Sequence, residues 1–261
     1  MQIGFLVFMF VLGAAFGSFL CCQSRRLKYR ETKKKKLPSR SICPKCKHQL
    51  NWYENIPLIS WLIQGGKCRK CHAPIGWGEI LSELGVALMF LGVASTVNIA
   101  SAGVTEWCIF GTTIVFCISL AFLAIHDGLY GELPNIALYC SIILALAVFL
   151  AKNWGHFGWN SFTDALAAFA ILGGLYLLLY LVSKGKWVGD GDWLIGAAIA
   201  IALGKPFLAL VALFISNFTA CFVMLPFVKG KKDKQIYFGP FLVIAYTIVV
   251  TFSLLIESMV I

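Results

Sequence analysis

Eight apolar runs, each near the length needed to cross a bilayer, constrain this chain more than any other feature. They fall near residues 3–22, 80–99, 107–125, 133–151, 163–183, 192–204, 206–228 and 238–260. A hydrocarbon core about 30 Å thick takes roughly 20 residues of helix. Backbone groups in lipid must also be satisfied within the segment, so runs of this kind fold as helices. The composition agrees, with 59% of 261 residues hydrophobic, 13% charged and a mean hydropathy of +0.82. The expected fold class is an all-α polytopic membrane protein with about eight transmembrane helices. The run at 192–204 is short, opens with Asp192 and ends at the turn signal Gly204-Lys205-Pro206. The first run lacks a preceding basic segment and a following Ala-x-Ala site, and it is expected to be a retained helix rather than a cleaved signal.

Charge gives the expected orientation. The net charge of +10 does not point to nucleic acid, because 14 of the 22 Lys and Arg lie between Arg25 and Lys70, beside membrane segments. With residues 23–79, 126–132, 184–191 and 229–237 facing the cytoplasm, these stretches hold 14, 0, 2 and 4 Lys and Arg, and only Lys152 and Lys205 lie opposite. Cytoplasmic flanks are enriched in Lys and Arg and lie over anionic lipid. This orientation puts both termini outside the cytoplasm. Three regions are expected: residues 1–22 as the first transmembrane helix, 23–79 as a small cytoplasmic domain, and 80–261 as a helical core. The basic run Lys33–Lys36 reads as a solvated or lipid-facing tether.

The small domain carries Cys43-Pro44-Lys45-Cys46 and, 21 residues on, Cys68-Arg69-Lys70-Cys71. Each C-x-x-C knuckle supplies two thiolates, and two knuckles complete a tetrahedral shell for structural Zn²⁺. A unit this small has little core of its own, so the metal would supply much of its stability. A disulfide pair fits poorly with a cytoplasmic location. His48 and His72 stand beside the knuckles as possible substitutes, but four thiolates suffice. The segment Asn55–Leu62 between the knuckles is apolar enough to lie against the membrane or the helices. Glu79 and Glu83 share a helix face, either as first-turn acids or with a role near the active face.

Two acidic sites sit where apolar runs meet polar turns: Asp127 in His126–Asn135, and Asp192 in Gly189-Asp190-Gly191-Asp192. Ionisable groups at such depth are costly, which favours function, although either alone could be a loop or capping aspartate. On the expected topology both face the cytoplasm, as an acid/base pair would require. Gly189 and Gly191 remove side chains beside Asp192, so an extended backbone can approach. Asp190 is the rival for the second carboxylate. A proton- or cation-relay transporter is the alternative from another class, but no further acidic group continues a path through a span.

These residues together resemble the type IV prepilin peptidase family of intramembrane aspartic proteases, over the whole chain. Gly17-Ser18-Phe19-Leu20 with Arg26-Leu27 is similar to its first-helix signature. The knuckles around Asn55–Leu62 are similar to its zinc region. Asp127 with Pro134-Asn135 resembles the first catalytic block, Gly189–Asp192 the G-x-G-D block, and Phe238-Gly239-Pro240-Phe241 a later element. Cys21, Lys28 and Leu194 depart from the family pattern, which often has Asn, Pro and Lys there. The resemblance implies that Asp127 and Asp192 are the catalytic pair, with precursors of type IV pilins or pseudopilins as substrates. It also implies S-adenosylmethionine-dependent N-methylation of the new amino terminus, for which the residues themselves show no nucleotide-type motif. A peptidase without methylation is the alternative within the family.

Overall fold

The computed structural model describes residues 1–34, 40–43, 45–185, 188–228 and 237–258, those of 224–228 without their side chains. Lys35 and Lys36 of the basic run, Pro44 of the first knuckle and residues 229–236 of the basic loop lie outside the described residues. Each of the eight apolar runs is helical over most of its length. The helices are α1 (Gln2–Lys33), the short α2 (Ile59–Ile63), α3 (Trp77–Ser95), α4 (Val104–Tyr130), α5 (Asn135–Lys152), α6 (Trp159–Phe169), α7 (Leu175–Ser183), α8 (Asp190–Leu203), α9 (Pro206–Val228), α10 (Gly239–Thr251) and α11 (Ser253–Ser258). A π-turn at Ala170–Gly174 joins α6 to α7. Among the described residues six spans are long and apolar enough to cross a membrane: α1, α3, α4, α5, α6 with α7, and α9. The helices α8 and α10 are shorter. Among the described residues there is no strand, only the isolated bridges Ile42–Gln49 and Lys67–Pro74.

The chain divides into two compact units, Met1–Leu91 and Gly92–Ile261. In the first, α1 runs on to Lys33, well past the apolar run, because nothing before the left-handed Lys34 breaks it. It packs on α3 through small residues. A Cβ on Gly17 would lie 2.7 Å from the Cα of Glu83, and one on Gly13 would lie 2.8 Å from the Cα of Ala87. Close backbone approach of this kind drives helix association where lipid removes the hydrophobic difference. Past the ends of the apolar runs near 3–22 and 80–99, Arg25 pairs with Glu79.

The second unit is built around α8. Ile195, Ala197, Ala198, Ile199, Ala200, Ala202 and Leu203 are all buried, so this helix is enclosed on every side. Its neighbours are α5, α6 with the π-turn, α7, α9 and α10. Small residues let them come close, and a Cβ on Gly173 in the π-turn would lie 2.9 Å from the Cα of Ala197. The outer faces carry apolar stripes, Ile136, Tyr139, Ile143, Leu146 and Leu150 on α5 and Phe214, Phe218 and Phe222 on α9, all exposed. Stripes of this length on an unpartnered surface are what lipid covers.

Candidate active site and candidate metal centre

Asp127 lies inside the last turn of α4, rather than in the loop after it, because the helix continues to Tyr130 and ends at Gly131. Gly131 is left-handed with φ +66°, and its N–H donates to the Asp127 carbonyl at 2.7 Å. The Asp127 side chain is 5% exposed, and its Oδ2 accepts the backbone N–H of Gly239, the first residue of α10, at 2.9 Å. Gly239 is required there, since a Cβ would lie 2.8 Å from that oxygen.

Asp192 is the third residue of α8 and is 6% exposed. The N–H of Gly189, just before the helix, donates to its Oδ2 at 3.0 Å. This closes the first turn and sets a negative charge at the positive end of the helix dipole. Each aspartate therefore has one oxygen fixed by a backbone N–H, and neither second oxygen has a protein hydrogen bond among the described residues. The packing of α5 against both α4 and α8 brings the two helices together.

The glycines of the G-x-G-D stretch are accounted for by the chain's own packing. The space of a Gly191 side chain is filled by Leu133, and that of Gly189 faces the Asp192 carboxylate. Pro134 is the residue before α5, with an extended backbone suited to that place. Asn135 is exposed and makes no hydrogen bond to either aspartate among the described residues. Asp190, the rival carboxylate, is exposed at the helix start. His126 has a structural place: its Nδ1–H donates to the Glu132 carbonyl at 2.9 Å, and its ring sits against Phe122 and Tyr130.

Tyr176, which the sequence did not single out, borders the same site. Its hydroxyl bonds Ser216 at 3.2 Å and accepts from Asn217 Nδ2 at 3.0 Å, while its ring lies 5.3 Å from that of Phe238. A Cβ on Gly196, one turn beyond Asp192, would lie 3.2 Å from the Tyr176 ring. The only signal for it was the helix-packing pair Gly173-Gly174 just before it, which becomes the π-turn, a distortion frequent beside functional sites.

In the first unit the four cysteines meet. Their Sγ atoms all lie within 4.8 Å of one another, with Cys43 to Cys71 at 3.8 Å and Cys46 to Cys68 at 4.0 Å. Thiolates about 2.3 Å from a central tetrahedral Zn²⁺ would stand roughly 3.8 Å apart, so the donor set fits a metal ion of that kind. The two knuckles are built alike. The Cys43 N–H donates to the His48 carbonyl and the Cys68 N–H to the Ala73 carbonyl, each at 2.8 Å. Lys47 and His72, the residues after each second cysteine, are left-handed at φ 58° and 53°. Backbone N–H groups of Cys46 and Lys45 bring the Cys43 thiol down to about 7, and those of Cys71 and Lys70 lower Cys68. His48 and His72 are therefore used in the turns, and His48 Nε2 lies 3.6 Å from the buried Glu54 carboxylate.

Comparison with known proteins identifies relatives of the chain. A family described as the Bacterial Peptidase A24 N-terminal domain matches residues 11–97. The chain is 31% identical over 211 residues to a prepilin leader peptidase/N-methyltransferase of Aeromonas hydrophila, covering 79% of this chain and 69% of the relative. It is 28% identical over 211 residues to a protein of the same name from Vibrio cholerae, covering 81% and 80% of the two chains. A third, from Myxococcus xanthus, is 45% identical over 86 residues, 33% of this chain and 25% of the relative. No solved structure matches. On the strength of these relatives the chain belongs to the prepilin leader peptidase/N-methyltransferase family.

Proposed function

We propose that this protein is a membrane-embedded aspartic endopeptidase that removes the basic leader from type IV prepilin-like or pseudopilin-like precursors at the cytoplasmic membrane face. The observation that carries this reading is the pair of buried aspartates, each steadied through one oxygen by a glycine N–H. Two carboxylates that act on one water and one carbonyl share a proton and titrate as a pair. The ionised one takes a proton from water, and the water oxygen attacks the scissile carbonyl. The protonated one gives its proton to the carbonyl oxygen, and collapse of the tetrahedral species transfers a proton to the leaving amine. Both carboxylates end the cycle with one proton between them. Gly189 and Gly191 hold the turn that presents Asp192, and Pro134 and Asn135 begin the helix that joins the two acidic elements.

The orientation rests on the Lys and Arg distribution, which favours the cytoplasm for the Cys₄ unit and for the ends of α4 and α8 that carry the aspartates. Cys43, Cys46, Cys68 and Cys71 would hold a structural Zn²⁺, as the separation of their sulfurs supports. The second activity, N-methylation of the exposed amino terminus, follows the relatives' shared name. S-adenosylmethionine supplies the methyl group in that chemistry. The test is incubation of the purified protein in lipid with a prepilin and labelled methyl donor, followed by mass spectrometry. Leader removal with label on the new amino terminus is expected. Leader removal without label would withdraw the methylation claim, and an intact precursor would withdraw the whole reading.

A further inference from the structure

The first unit has an apolar surface that its own packing leaves uncovered, and its depth along the spanning helices can be measured. Ile59, Leu62 and Ile63 of α2 are 54%, 64% and 78% exposed, and their spacing puts them on one helix face. Ile59 and Ile63 also line, with Ile56 and Tyr53, a groove of about 390 Å³ bordered by Lys67 and Arg69. The Arg69 guanidinium lies 5.4 Å from the centre of the Tyr53 ring. Trp52 and Trp77 are exposed as well.

The start of α2 is tied to α3. Leu58 stands at the centre of a γ-turn, with φ 61° and ψ −52° and the Ile59 N–H donating to the Pro57 carbonyl at 2.6 Å. This positive-φ form of the turn is rare and strained. Its N–H is free to leave the turn, and it donates to Glu83 Oε2 at 2.7 Å. Glu83 lies one turn, about 6 Å, further along α3 from Glu79, the residue that pairs with Arg25, the first charge on α1. The N-terminus of α2 is thus held at Glu83, the innermost charge of α3, roughly one turn deeper than the Arg25–Glu79 pair and against Gly17 in the apolar run of α1. From there α2 rises toward the start of α3, where Trp61 and Trp77 meet with ring centres 5.1 Å apart. Amphipathic segments that lie in an interface bury their apolar face about 5–10 Å into the headgroup and acyl boundary, with Trp at the rim and cations outward.

We propose that α2 is immersed in the leaflet on this side of the membrane, with Ile59, Leu62 and Ile63 among the lipid tails and Lys67 and Arg69 on anionic lipid phosphate. The occupant is the bilayer because α2 is anchored one turn inside the Arg25–Glu79 pair, at the level of Gly17 in the apolar run of α1, and its groove ends in cations. The inference requires only that α1 and α3 cross the membrane, and it does not depend on the peptidase reading.

The test places the photo-crosslinker p-benzoylphenylalanine in the full chain at Ile63 and, separately, at Leu62 and at the exposed Lys47. The protein is reconstituted in nanodiscs of phosphatidylethanolamine with a minority of phosphatidylglycerol. Lipid adducts, identified by mass, are expected at both α2 positions and to be lost at Lys47. Omitting phosphatidylglycerol, or introducing Lys67→Ala with Arg69→Ala, is expected to remove the enrichment of the anionic lipid among the adducts. Crosslinks from Ile63 and Leu62 to another part of the chain, to a second copy or to added substrate in place of lipid would overturn the proposal. Absence of any lipid adduct in variants that keep all four thiols protected from labelling by a bound metal would overturn it equally.

Discussion

The two units solve one problem, holding a few polar side chains at fixed separations, by opposite means. In the first, the donors come in pairs three residues apart, and each pair is bent into place by its own turn, Cys43 to His48 and Cys68 to Ala73. In the second, Asp127 and Asp192 come from distant helices, and their carboxylates are steadied by backbone N–H groups of Gly239 and Gly189. The difference is between short-range turns that a metal would lock and long-range packing that only the assembled helices supply. It implies that the two sites fail differently when disturbed.

Chelation should give the largest difference. A structural Zn²⁺ contributes on the order of 10 kcal/mol to a small domain of this kind. Removing it is expected to open the region around residues 40–75 to protease while leaving the thermal transition of the second unit in place. Proteolysis and calorimetry on the same sample check this, and a single joint transition lost on chelation would break the contrast.

In the second unit Gly239→Ala should reduce peptide cleavage roughly a hundredfold, since a misplacement near 1 Å can cost that much. The added Cβ would displace the Asp127 carboxylate, which now lies 2.8 Å from where that carbon would sit. Steady-state rates on a prepilin peptide, with metal content as the control, would show activity falling and metal unchanged. Tyr176→Phe should have a smaller effect. It removes the hydroxyl shared with Ser216 and Asn217, worth about 1 kcal/mol. A modest shift in melting temperature with cleavage nearly intact is expected, and a large loss of rate would promote Tyr176 from packing to positioning.

The same contrast explains what could be read from the chain. The eight apolar runs and the two knuckles are local patterns, a hydrophobic length and a C-x-x-C spacing, and both are present in the structure. The course of α4 through Asp127 was not legible, because His126–Tyr130 reads as polar turn until Gly131 is seen to take the left-handed cap. Gly239 appeared only as part of a family element, since its hydrogen bond spans 112 positions of sequence. Gly191 was read as room for a substrate, whereas Leu133 occupies that room, a contact fixed by how α5 enters the bundle. Glu83 carried two readings, and its place as the anchor of Leu58 depends on a turn that no periodicity encodes.

Cleavage of a prepilin by the wild-type protein, Asp127→Asn and Asp192→Asn, each reconstituted in lipid, tests the central claim most directly. Loss of a catalytic unit's member costs on the order of a thousandfold or more in rate, so both variants should be inactive to that extent while retaining metal and melting behaviour. Wild-type rates in either variant would contradict the account.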